Sequence, residues 1–437
     1  MKMLIAYIVS LLSTMAYSQA VYVLQNPTSS QTIAQPSGTT FSVNRMENIR
    51  FAEQFASGSS TGGIQEAIND LPNGGTVMLP ASTITITSTI NITHGVTVRG
   101  HGLGVTAISL NSTTADVFYI TAPGVTMTDF NITRPSNVLA TAGAGIHINY
   151  NGDAEAHIAR VNMLNQFNGL LTESGTTFVF VDECWIEGNQ SHGAIIQGND
   201  TRFTRNRFYT NGFGSGGSGV AVLNLGAVVS SGNEFYGNAG HGIYYAGSTT
   251  TLQSFHTGDI VDSNGDVGIV VTNEDVVTFN DGWIASNGTQ FDGNHNPTYV
   301  FNANIDGADC YNTAHHCQFN NNQITTNSRH GILFYGSQDF QASNNHISKN
   351  GLGGGSSSSE IAVVNYPGVS WQDGRLEGNR CWNSGGGQKY GINLQGTGTA
   401  IIVIGNDLLG NATSSLSDTS SGASKIITNN ICTSGPC

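Results

Sequence analysis

Glu183, Trp185 and Glu187 are followed 22 residues later by Arg205, Arg207 and Tyr209, and Arg207 is followed 27 residues later by Glu234, with Tyr236 beyond it. Alternate residues of a strand share a face, so each set projects from one side of a short strand, and the sets meet if the strands stack. Glu183 would then face Arg205, and Arg207 would face Glu234, beside three aromatic rings. One reading of such a face is cross-strand pairing, each pair contributing a few tenths to ~1 kcal/mol. The other is a strip that takes sugars, with rings against pyranose carbons and Arg and Glu on hydroxyls. Hydrolysis of a glycosidic bond uses two carboxyls ~5–10 Å apart, and Glu187 and Glu234, two repeats apart, fall near the upper end.

A second candidate face surrounds Glu173. Strands of the form Gly-apolar-x-apolar start at Gly169, Gly193, Gly219, Gly242, Gly268, Gly331 and Gly391. The positions two and four residues after such a glycine point outward: His147 and Asn149, Leu171 and Glu173, Ile195 and Gln197, Ala221 and Leu223, Tyr244 and Ala246, Val270 and Thr272. Glu173 is the only acid of this set, with His147, Asn149 and Gln197 around it and no Lys or Arg. An exposed amide-lined strand explains this at least as well as a catalytic carboxylate. Abstraction of a uronate proton needs several acidic Ca²⁺ ligands and a base, which these positions do not supply, so no metal or other cofactor is assigned. Asp306-Gly-Ala-Asp309 could hold a cation but lacks the spacing of a calcium loop. His192, His241 and His330 each precede a strand glycine, a recurrence that a turn preference explains.

The elements that must position these residues are repeats. Asn recurs at Asn189, Asn211, Asn238, Asn264, Asn287, Asn327, Asn350, Asn379 and Asn411, each three residues after an apolar side chain, Ile186 and Leu376 among them. Five residues before each lies a second column of small or amide residues, including Cys184, Asn206, Asn233, Asp259 and Gly374. Strands this short cannot bury an apolar face alone, so the units must stack in parallel as one solenoid, with the asparagines bonding from coil to coil as a ladder. The 40 residues from Asn287 to Asn327 hold one coil with an insertion. The reading is all-β, a right-handed parallel β-helix over 61–431, with a capping helix at 64–71 over the first coil and a tail at 432–437.

Composition agrees. The 437 residues include 56 Gly and only 10% charged residues, which disfavours long helices. A net charge of -14 leaves no basic footprint for nucleic acid and none for capturing acidic polymers. Lys2, the apolar run Leu4 to Leu12 and the small residues up to Ala20 have the order of a signal peptide over 1–20, followed by an extension over 21–60. The expectation is a secreted or periplasmic protein with no membrane anchor. Cys310 and Cys317 are close enough to clip one loop, Cys432 lies near Cys437, and Cys381 could take a tail partner instead. Cys184 is expected as a free core thiol.

The passage from Ile64 to Gly104, with Ala67-Ile-x-x-Leu-Pro-x-Gly-Gly-x-Val-x-Leu-Pro80 and Val96-x-Val-Arg-Gly-x-Gly102, resembles the opening of pectate-lyase superfamily β-helix proteins. The Asn and Gly-Ile repeats resemble their later coils, and the likeness spans roughly 45 to 431. It implies an extracellular polysaccharide as partner, lying along the outer face of one parallel sheet; the expected state is a monomer, with a trimer as the alternative. In polygalacturonase-like members Asp residues precede the glycine strand in two neighbouring coils, His in a third, with Arg and Lys on the strand. Around His241 the equivalent places hold His192, Ser218, Val270 and Thr272, so that set is absent. The functional expectation is a protein that binds polysaccharide and, in the enzymatic version, degrades it. The competing class is a non-catalytic adhesin or spike.

Overall fold

The structure is a computed structural model that describes residues 31–34, 40–43 and 48–437, except 57, 225, 248–252, 274–275, 355–357, 384, 386 and 423. The segment 1–20 read as a signal peptide lies outside the described residues.

From Ile49 the chain winds into a right-handed parallel β-solenoid of about 14 turns. A typical turn lays down three strands: Asn168–Thr172, Thr176–Asp182 and Trp185–Glu187. Their equivalents in successive turns form three stacks, here the groove stack, the middle stack and the strip stack. The groove stack is a 13-stranded parallel sheet built from the Gly-apolar segments. In the strip stack Trp185 pairs with Arg207, Arg207 with Glu234, Glu234 with Ile260, and Ile260 with Trp283, without a slip. Inward side chains form ladders too, such as Phe208 stacked on Phe235 at 4.9 Å.

Both corners of the strip stack are made in one way. A residue in the left-handed region turns the chain: Glu183, Arg205, Asp281, Asn321 and Asn344 before the stack, Thr210, Ser263, Ser286, Thr326 and Lys349 after it, all with φ of 50–60°. The next position carries an inward Asn in most turns. Asn211 shows why: its Nδ2 donates to Ile186 O at 2.9 Å and to Asn238 Oδ1 at 3.0 Å, while its Oδ1 accepts from the Asn189 N–H and Nδ2. The amide thus satisfies corner backbone groups that the strands leave unpaired. It also explains the glycines that open the groove strands. A Cβ on Gly268 would lie 2.5 Å from Asn287 Nδ2 and 2.6 Å from Gly307 O.

Asn379 requires a correction. Counting placed it with Asn350 and Asn411, but Asn345 donates to its Oδ1 and its Nδ2 donates to Asn406, so it belongs to the corner between the middle and strip stacks. Leu376 accordingly pairs with Ala342 in the middle stack, and Gly374 sits in a strand instead of a corner. Both corners impose the same apolar-x-x-Asn pattern, so spacing cannot tell them apart. Asp259 takes one Asn place and is balanced inside the core: Ser230 Oγ donates to Oδ2 at 2.6 Å, His256 Nδ1 lies 2.8 Å from Oδ2, and Tyr245 OH is 2.6 Å from His256 Nε2.

The N-terminal helix is Ile64–Asn69, shorter than 64–71, with Leu71 buried just after it. The first rung, Ile49–Phe51, pairs with Thr76–Met78, so the solenoid starts before residue 61. At the other end Ile431–Cys432 pairs antiparallel with Gly435–Pro436, and the tail is part of the last turn. Disulfides join Cys310 to Cys317 and Cys432 to Cys437, while Cys184 and Cys381 are free and buried. Burial pushes the Cys184 thiol up to about 12. Among the described residues no helix is long and apolar enough to cross a membrane.

Candidate functional site

Outward residues of the groove stack align as His147, Leu171, Ile195, Ala221, Tyr244, Val270, Asp309 and Leu333. A parallel row continues through Thr272, Tyr311, Tyr335 and Val364. Asp309 and Tyr311 therefore belong to a rung of the sheet, and the insertion ends before them. It forms the hairpin Thr289–Gln290–Phe291 with Pro297–Phe301, which packs on the loop at 212–217 through Phe213, stacked on His295 at 3.8 Å.

Asp309 lies on the floor of a groove of about 440 Å³, within the range of small-ligand pockets. Its walls include Tyr311, Tyr335 and Tyr366, with the Tyr366 ring 6.3 Å from Tyr311 and edge-on to Tyr335 at 5.1 Å. The Asp309 carboxyl is buried, and its Oδ1 has no hydrogen-bond partner among the described residues. Burial, reinforced by Asp306, holds its pKa well above the usual carboxylate range. Asp306 does not face the groove. It is fully buried, paired with Arg329 through Nε at 2.8 Å and through Nη2, and accepts the His330 N–H at 2.8 Å. The suggested cation pair thus becomes an ion pair that fixes Arg329 and a neighbouring carboxyl whose pKa burial raises.

His330 lines the same groove, and its Nδ1 accepts the Ser359 N–H at 2.9 Å. His192 does the same for Ser218 N–H at 2.9 Å. Each ring stitches one turn to the next. Burial lowers both imidazoles to about 4. His241, at the groove's edge, is also lowered by burial and stacks on Tyr244 at 5.3 Å.

Glu173 is not the only acid on this face. His147 Nδ1 lies 3.0 Å from Asp116 Oδ2 and its Nε2 lies 3.1 Å from Glu173 Oε1. Burial acts to lower this imidazole, but the Asp116 hydrogen bond and charge, then those of Glu173, outweigh it and raise its pKa. Asp116 escaped the register count because it precedes the strand Phe118–Ile120 instead of lying on it. Asn149 donates to Tyr119 OH at 2.7 Å, and Gln197 is half-buried one rung beyond Glu173. This cluster is six rungs from Asp309, or about 29 Å at ~4.8 Å per rung.

On the strip stack, Trp185, Glu187, Arg207, Tyr209, Glu234 and Tyr236 line a depression of about 360 Å³. Arg207 Nε donates to Glu234 Oε2 at 2.7 Å, and its guanidinium lies 5.1 Å from the Trp185 ring centre. Burial raises the pKa of Glu187, opposed by Arg207. Glu183 and Arg205 do pair, at 3.1 Å, but as left-handed corner residues outside the depression, as is Asp281. Counting back six residues lands past the end of a three-residue strand.

Sequence reasoning missed the assembly of Asp309, Arg329, His330, Tyr311, Tyr335 and Tyr366. Carrying the register through the insertion would have found half of it, since Gly307-Ala-Asp-Cys-Tyr311 has the Gly-apolar-x spacing with Asp309 in the place of Val270.

Residues 144–307 match the right-handed β-helix region family. Among solved structures, the chain is similar to the A-module of the Azotobacter vinelandii mannuronan C-5 epimerase AlgE4, at 19% identity and TM-score 0.54, covering 87% of this chain and 96% of that one. Tailspike protein 3 of bacteriophage CBA120 is similar at 12% identity and TM-score 0.57, over 97% and 66%. The catalytic unit of a GH87 alpha-1,3-glucanase from Streptomyces thermodiastaticus strain HF3-3 is similar at 12% identity and TM-score 0.52, over 89% and 69%. At these identities the shared property is the fold. No curated protein matches the chain in sequence.

Proposed function

We propose that the chain is an exported protein that binds extracellular polysaccharide along the outer face of the groove stack and hydrolyses it beside Asp309, the carboxyl giving its proton to the departing glycosidic oxygen while water adds to the anomeric carbon and returns a proton to the carboxylate. One observation carries the reading: a buried carboxyl, its pKa raised by burial and by Asp306, on the floor of a tyrosine-lined groove. A general acid must be neutral near the working pH, and burial beside a second carboxyl achieves this. A neutral polymer suits the groove better than a uronate, because Asp306 already takes the charge of Arg329 and the chain carries a net charge of -14. Two disulfides support the export reading, since they persist in oxidising compartments. The solved structures of similar fold include a mannuronan C-5 epimerase module and an alpha-1,3-glucanase, which supports a polysaccharide as the substrate class.

The adhesin reading draws on a different fact. Asp309 is the only carboxyl lining the groove among the described residues, whereas acid–base cleavage uses two. The test is to incubate purified protein with neutral and uronate polysaccharides, following new reducing ends and the ultraviolet absorbance of unsaturated products. Products lost in Asp309→Asn with binding retained support the proposal. Products unchanged in that variant remove Asp309, and Glu173→Gln then tests the distant acid. Binding without any turnover makes the protein an adhesin.

A further inference from the structure

We infer that the depression on the strip stack is a second glycan-binding site, specific for neutral polysaccharide and without catalytic function, which tethers the protein to its polymer while the groove works on another chain. This goes beyond the groove reading, because the two sites lie on different faces of the solenoid and a straight polymer cannot occupy both.

Two rows run along the axis here, Trp185-Arg207-Glu234 and Glu187-Tyr209-Tyr236, one residue per rung. The space between them is a channel whose rungs repeat at ~4.8 Å, comparable with the length of one pyranose unit. Ring edges and the exposed Trp185 offer apolar contact, while Arg207 and Glu234 hold each other at 2.7 Å as a preset donor–acceptor pair for hydroxyls. Side chains fixed before binding lose little freedom when a ligand arrives. Glu187 and Glu234 outnumber Arg207, the one cation lining the channel among the described residues, and Asp262 follows on the rung beyond Tyr236, so the channel disfavours uronates and sulfated chains. Tyr299 of the insertion hairpin approaches the Tyr236 hydroxyl and, after burial, helps to raise its pKa.

The test is calorimetric titration of the full chain with a soluble neutral glucan and with polygalacturonate. The result expected is glucan binding that persists in Tyr335→Ala, which disables the groove, and weakens at least about tenfold in Tyr209→Ala and in Trp185→Ala, with Arg207→Gln as a variant that keeps the packing. Equal binding of polygalacturonate at the strip would overturn the charge argument. Glucan binding that vanishes with Tyr335→Ala alone, or that is indifferent to all three strip variants, would overturn the site. Sedimentation showing a dimer that the strip variants dissociate would assign the channel to a second copy and also overturn it. Retained strip binding in a protein without turnover would sink the groove reading and leave this one standing.

Discussion

Protonation of His330 should cost stability in the turn that carries the groove, and comparison with a variant that cannot titrate there isolates the amount. Its ring is 4% exposed and accepts the Ser359 N–H at Nδ1, so a proton on that nitrogen costs both a hydrogen bond and the burial of charge. The folded-state pKa is lowered from 6.5 to about 4. Between those values the unfolded chain binds more protons than the folded one, so stability rises with pH. The contribution is full above about 6.5 and is lost as pH falls through the window towards 4. A difference of 2.5 pH units at 1.36 kcal/mol each amounts to about 3 kcal/mol. The perturbation is His330→Asn, which keeps an acceptor near the Nδ1 position and cannot titrate. Urea unfolding midpoints and exchange protection of the Ser359 amide are measured at pH 7.5, 5.5 and 4 for both proteins. His192 titrates in both, so the difference isolates His330. The wild type should lose about 3 kcal/mol more than the variant between the extremes. Parallel pH profiles, or Ser359 protection that does not fall with pH in the wild type, would refute the reasoning.

Asn211→Ala removes bonds to Ile186 O and Asn238 and leaves the Asn189 N–H without its partner, so a loss of roughly 3–5 kcal/mol is expected in denaturant titrations. Exchange protection should fall in the adjoining turns first, because each turn leans only on its neighbours. Gly268→Ala should cost about 1–3 kcal/mol by the same assay, since its methyl would meet the Asn287 amide and the Gly307 carbonyl. If the groove cleaves glycans, Asp309→Asn should lower kcat by roughly 10²–10⁴-fold with little change in KM, read from reducing ends. That substitution should leave the fold intact, because an amide of the same size replaces a carboxyl whose ionisation burial already opposes.

The sequence by itself determined the architecture, because each corner of a solenoid restates its demands locally: a left-handed residue, an inward amide, a glycine facing that amide in the next strand. Those demands recur often enough to be counted, and the strip pair Arg207–Glu234 and its rings followed from alternation alone. Counting failed where two corners share one pattern, as at Asn379, and where a long loop interrupts the frame, as before Asp309. Only the tertiary structure decided which carboxyl does what. Asp309, Asp306 and Glu173 are carboxyls alike in sequence, yet one lines a groove with its pKa raised by burial, one is spent on Arg329, and one is bonded to His147. Charge state depends on burial and on neighbours brought from other turns, and no spacing rule records either.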